Sequence, residues 1–157
     1  MGIMEITDLI SPTTVFADLK ATSKKQALQE LARRAATSIG CDERGLLDVL
    51  LERERLGTTG IGHGIAIPHG KLDGLDGVHG FFAKLDSGID FDSMDDLPVD
   101  LIFLLLAPES AGADHLKALA RVSRTLRDKG RCDKLRGSDD ADALYAVLTE
   151  ENTQSAA

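Results

Sequence analysis

The residues of this chain best suited to chemistry are four histidines, an arginine near a helix end and a dense run of glycines. The glycines and two of the histidines fall together in residues 57–71, which read Gly-Thr-Thr-Gly-Ile-Gly-His-Gly-Ile-Ala-Ile-Pro-His-Gly-Lys. Glycine at this density lets backbone N–H groups converge on an anion and tolerates positive φ. Within the run His69 stands apart. An extended Ile65-Ala66-Ile67 segment leads to it, Pro68 sets the turn before it and Gly70 follows. That is a rigid, exposed mounting at a strand end, where ligands gather in α/β sheets. A histidine so placed suits phosphoryl acceptance: it attacks as a neutral ring through one nitrogen while the other is held as a donor. The transferring group is planar and anionic, so its oxygens need preorganised donors, and glycine-loop amides are expected to provide some of them. Arg53 suits the same task, because a guanidinium stays charged and presents paired donors. On spacing alone it fits a surface ion pair with Glu52 equally well. His115, in the first turn of a later helix, is placed to position or neutralise the group beside His69. His63 shares the loop without an assignable role, and His79 alternates with Phe81, Ala83 and Leu85 as a structural residue.

Competing chemistries fail on spacing. A P-loop needs four residues between its first glycine and Gly-Lys, then Ser or Thr. Here five separate Gly64 from Gly70-Lys71, and Leu72 follows. Gly60-x-Gly62-x-Gly64 is not the dinucleotide GxGxxG, and no HExxH or GxSxG is present. Cys41 and Cys132 are far apart and outside any CxxC, which leaves zinc and redox motifs unsupported. A net charge of −8, one Tyr, five Phe and no Trp argue against a nucleic-acid partner. No apolar run is long enough to span a bilayer and no secretory leader is visible, so a cytoplasmic protein without metal or cofactor is expected. Any phosphoryl group would have to arrive from elsewhere.

The elements that must position these residues follow from periodicity. A helical turn around Ile6, Leu9 and Ile10 is stopped by Ser11-Pro12, and residues 14–19 form a short edge strand. Ser23 and Gln26 match a capping box for a helix with Leu28, Leu31, Ala32, Ala35 and Ile39 inward, ended by Gly40. A second helix starts near Asp42 and runs to about Leu56. Its inward line is Leu46, Val49, Leu50 and Arg53, with Arg55 on the wetter side. Residues 78–85 read as a strand, and 99–107 as a central strand covered on both faces. Residues 114–129 are predicted helical with Leu116, Leu119, Ala120, Ser123 and Leu126 inward. One more turn is expected over 131–136, and a last helix over 139–149 is anchored by Leu144, Val147 and Leu148. The expected architecture is α/β, with one mixed sheet between helices, in a single domain over residues 1–150 and a disordered tail over 151–157.

Arg53-Glu54-Arg55-Leu56-Gly57, then Thr59-Gly60-Ile61-Gly62, then Gly64 through Leu72, resemble the enzyme IIA component of the bacterial phosphotransferase system. The resemblance is to the fructose/mannitol class and, within it, the nitrogen-regulatory branch. Pro98-Val99-Asp100-Leu101-Ile102-Phe103 and His115-Leu116 extend it over residues 5–149. It implies a three-layer α/β/α sandwich with a mixed sheet. It also implies phosphorylation of His69, with His115 as the second active-site histidine and Arg53 as the active-site arginine. The donor it implies is a small histidine phosphocarrier protein, and the expected output is phosphorylation-dependent binding of partners such as potassium-transport or sensor proteins. The alternative is a fructose- or mannitol-type IIA component that passes phosphate to a separate IIB.

Overall fold

The computed structural model describes residues 4–151. Residues 99–108 carry the most apolar stretch of the chain and form the strand around which the sheet is built. That strand, β6 (Val99–Pro108), is buried continuously from 101 to 107, as expected where helices cover both faces. β5 (His79–Ile89) pairs with it antiparallel, and β1 (Val15–Leu19) adds to β5 in parallel at one edge. On the other side of β6 lie β3 (Ile65–Ala66), β4 (His69–Leu72) and the outlying β2 (Gly60–Gly62), giving a mixed sheet of six strands.

Helices α1 (Lys24–Ile39) and α2 (Glu43–Leu56) cover one face, where Leu28, Leu31, Leu46 and Leu50 pack on Phe81, Ile102 and Leu104. Helices α3 (Ala113–Leu126), α4 (Lys129–Arg136) and α5 (Ala141–Thr149) cover the other, packed on Phe82, Leu101 and Phe103 with Ile6, Leu9 and Ile10 beside them. The expected sandwich of helices, mixed sheet and helices is therefore the observed one. The expected tail over 151–157 lies outside the described residues except for Glu151.

Several local expectations change. Ser23 caps α1 by accepting from Gln26 N, but the Gln26 side chain accepts from the Thr22 amide and hydroxyl and not from Ser23 N, so the box closes one residue early. The third predicted helix stops at Leu126 because Asp128 starts α4, its carboxylate accepting from Arg131 N. The inward face of α3 is also displaced: His115, Ala118, Val122 and Leu126 are buried while Leu116 and Ala120 are exposed. β2 and β4 were not anticipated as strands. His69 follows the short strand β3 as expected and itself opens β4, with Pro68 only interrupting the ladder. Ile65↔Leu101 and His69↔Leu105 keep the same register on either side of that break, because proline has no N–H to donate but leaves the chain extended.

Candidate active site

His69 is held on both sides of its backbone. The Ile67 amide donates to Thr59 O at 3.0 Å, and the Leu105 amide donates to Pro68 O at 3.0 Å. The ring is fixed through both nitrogens. Nδ1 lies 2.9 Å from the Ile67 carbonyl, which can only accept, so Nδ1 carries the proton. Nε2 is then the nitrogen with a lone pair, and Arg53 Nε donates to it at 3.2 Å. This is the arrangement a nucleophilic imidazole needs, a tautomer selected by one partner and the attacking nitrogen aimed at an open space.

Arg53 reaches His69 from the last turn of α2, and its Nη1 also donates to Gly57 O at 2.9 Å, at the C-terminus of that helix. Nη2 has no hydrogen-bond partner among the described residues and is free to meet an incoming oxygen. The ion pair considered for Arg53 is made by its neighbour instead, Arg55 to Glu52 at 3.2 Å. His115, buried in the first turn of α3, sets its ring edge-on to His69 with centroids 5.5 Å apart and planes at 76°. Its Nε2 is buried without a partner among the described residues, a donor or acceptor left for a group bound at His69. The structure thus brings Arg53, His69 and His115 to one place.

The close approach of α2 depends on Gly70. A Cβ at this position would sit 2.5 Å from Val49 Cγ1, so a larger residue forces the Val49 side chain, or α2 behind it, to give way. Gly70→Ala is expected to destabilise the fold by about 1–3 kcal/mol through overpacking. Adding Val49→Ala should recover part of that loss in denaturant titrations.

The remaining glycines do not serve the site as expected. The cavity beside His69, about 820 Å³, includes Gly70 and Gly112 in its lining but none of the glycines at 57, 60, 62 and 64. Gly62 and Gly64, at φ 101° and 82°, turn the hairpin between β2 and β3. Gly60 lets the hairpin lie against Ser93, where a side chain would collide with the hydroxyl. His63 sits at the tip of this hairpin with φ 57°, its amide donating to Asp95 at 2.8 Å and its carbonyl accepting from Arg136. It lines a different cavity, beside Asp100 and Arg136. His79 Nε2 contacts Asp76 at 2.9 Å, outside the His69 cavity.

Burial pushes the His69 imidazole below its ordinary value of 6.5; the Ile67 carbonyl works against this and the Arg53 charge adds to it. His115 is lowered by burial first, then by His69 and Lys71. Both rings are therefore neutral near neutral pH. Unfolding restores ordinary proton affinity, so the unfolded chain binds more protons in acid and stability falls as pH falls. The contribution is fully present above 6.5 and is lost as pH drops through that value toward the lowered folded ones. His115→Gln should lose less stability than the parent between about pH 7.5 and 5.5 in chemical denaturation, because one of the two groups is gone.

Around the rings the cavity wall is apolar and open. Leu56 is 80% and Leu116 69% exposed, with Val49 and Leu119 between and Asp48 and Glu52 on the same wall. Two large exposed leucines thus flank the imidazoles on this wall. The displaced face of α3 is the reason Leu116 is there, and the sequence offered a signal: a histidine aligned with Ala118, Val122 and Leu126 rather than with the leucines.

The fold that carries this site, a mixed sheet between two layers of helices, has counterparts. The profile of the family Phosphoenolpyruvate-dependent sugar phosphotransferase system, EIIA 2, matches residues 8–151, and the chain belongs to that family. Within it the chain is similar to a nitrogen regulatory protein of Bradyrhizobium diazoefficiens, 61% identical over 145 residues that span 92% of this chain and 95% of the relative. It is also 38% identical over 151 residues to a PTS system fructose-specific EIIA component of Haloferax volcanii, across 94% of this chain and 98% of that one. The crystal structure of nitrogen regulatory protein IIA-Ntr from Neisseria meningitidis matches with a TM-score of 0.86 at 31% identity, over 92% and 99% of the two chains. No helix among the described residues is long and apolar enough to cross a membrane.

Proposed function

We propose that the chain is a phosphoryl-carrier and regulatory protein that accepts a phosphoryl group on Nε2 of His69 from a histidine phosphocarrier protein. The observation that carries this reading is the pairing of the ring: Nδ1 donates to Ile67 O and Nε2 faces Arg53 Nε. As the donor's phosphorus approaches, Arg53 turns its N–H groups from Nε2 to the phosphoryl oxygens and frees the lone pair. A bond from Nε2 to phosphorus forms as the donor's own nitrogen–phosphorus bond breaks. The Nδ1 proton stays in place, and the Ile67 carbonyl offsets the positive charge that develops on the ring. His115 Nε2 is the third polar contact available to the bound group. A protein donor accords with the exposed Leu56 and Leu116.

The output we infer is partner binding that depends on the phosphorylation state, since the group adds about two negative charges beside an apolar docking face. The identity to the Bradyrhizobium nitrogen regulatory protein supports this, and potassium-transport and sensor proteins are the class of target proposed. A second reading, transfer onward to a separate IIB for fructose or mannitol uptake, is supported by the identity to the Haloferax fructose-specific component. Incubation with phosphoenolpyruvate, enzyme I and a phosphocarrier, followed by mapping of the modified atom, tests the acceptor. Modification at any other residue would overturn it. Rapid loss of label to an added IIB would favour the second output over the first.

A further inference from the structure

The polar contacts around His69 extend one layer outward, to a carboxylate the chemistry itself does not use. Glu54 follows Arg53 in the last turn of α2, and its side chain is only 6% exposed. A buried carboxylate is costly unless its oxygens are paired. Those of Glu54 are: Oε1 receives Lys24 Nζ at 2.8 Å and the Thr59 amide at 3.1 Å, and Oε2 receives the Thr59 hydroxyl. Thr59, itself buried, passes the restraint on, because its carbonyl accepts the Ile67 amide at 3.0 Å. Ile67 in turn presents the carbonyl that holds His69 Nδ1 at 2.9 Å. That carbonyl belongs to the peptide bond with Pro68, which has no N–H, so the segment has one amide anchor fewer than an ordinary strand. The Thr59 contact supplies part of what proline removes.

We propose that Glu54 is a positioning residue for His69: through Thr59 and Ile67 it places the carbonyl that keeps the proton on Nδ1 and leaves Nε2 as the attacking atom. The neighbouring residues Arg53 and Glu54 thus divide the work on the connection after α2. Arg53 holds Gly57 O and faces Nε2, while Glu54 grips Thr59 and sets the partner of Nδ1. Lys24 neutralises the carboxylate and lies 5.0 Å from the centre of the Phe91 ring, which ties α1 into the same arrangement. Loss of the Glu54 contact lets Ile67 shift and the ring rotate while the apolar docking wall stays as it is, since Leu56 and Leu116 are not held by Thr59.

The inference rests on His69 being the acceptor, and its test separates the two. Glu54→Ala, Thr59→Val and Thr59→Ser would be compared with the parent by nitrogen-15 spectra of the histidine rings and by transfer kinetics from the phosphocarrier. In the parent, His69 should show a slowly exchanging Nδ1–H. In Glu54→Ala that proton should exchange rapidly, and kcat should fall by up to about 100-fold with KM for the donor within about twofold. Thr59→Val, which keeps the amide contact and removes the hydroxyl, should show a smaller change in the same direction, and Thr59→Ser should restore parental behaviour. If Glu54→Ala does not fold, the two Thr59 variants decide. An unchanged Nδ1–H in the folded variants overturns the inference, with or without a fall in kcat, because the effect would then not pass through the ring. If the parent takes up no phosphoryl group, the proposed function falls, and the ring spectra of the unmodified proteins still decide whether Glu54 positions His69.

Discussion

His69→Ala is expected to take up no phosphoryl group from a charged phosphocarrier under conditions that label the parent to completion. The effect should be all-or-none, because the attacking lone pair is the one element of the site for which no neighbour substitutes. His115 is the nearest other imidazole, yet it is buried in the first turn of α3 with its ring edge-on to His69. His63 and His79 lie outside the cavity. The variant should fold normally. His69 is half-buried, and the ladder bonds through Pro68 O and the β4 amides belong to the backbone. Intact-mass measurement after the transfer reaction, with a thermal melt as the folding control, checks both halves. A phosphorylated His69→Ala would mean the acceptor has been misassigned.

Arg53→Met is expected to keep the acceptor and lose most of the rate. Removing one preorganised donor to a developing oxyanion costs about 10²- to 10³-fold in comparable sites, and Arg53 brings both Nε and Nη2 to the same face. Arg53→Lys should recover only part of the loss, because an ammonium cannot present paired planar donors. The pH dependence supplies a second readout. The Arg53 charge is one of the causes that lower the His69 pKa, after burial, so its removal moves that pKa upward toward the ordinary value. The ring then protonates at higher pH, and the acid limb of the rate profile should shift to higher pH in Arg53→Met. An acid limb that stays in place would show that burial alone keeps the ring neutral.

These expectations rest on features of unequal legibility. The ordering of the mount was readable, because Pro68 acts on its own neighbours: it keeps Ile67 extended and carries the chain straight on to His69. The register of Arg53 was readable too, since Leu46, Val49 and Leu50 fix the buried line of α2 and the next position along that line is 53. The apolar run 99–107 announced a strand covered on both faces and with it the sandwich. The face of α3 was misread for a physical reason. Leucine periodicity points inward, but the first turn of this helix borders the cavity, where Leu116 has no core to enter and His115 takes the buried position.

The glycines show the same boundary from the other side. Their density pointed to backbone amides around an anion, whereas Gly60, Gly62 and Gly64 serve a hairpin that packs on Ser93, Asp95 and Arg136; at the site Gly70 admits Val49 and Gly57 offers its carbonyl to Arg53. Positive φ and close approach look alike in a sequence, because both are satisfied by the absence of a side chain. What the chain determined by itself was local or periodic: the proline-set histidine, the helix register and the central strand. Which ring nitrogen is free, which carboxylate supports the ring and which wall stays open were decided by contacts among residues brought together from α1, α2, β4, β6 and α3. A hydrogen-bond partner or a burial depth is a property of that assembled neighbourhood, and spacing along the chain carries no record of it.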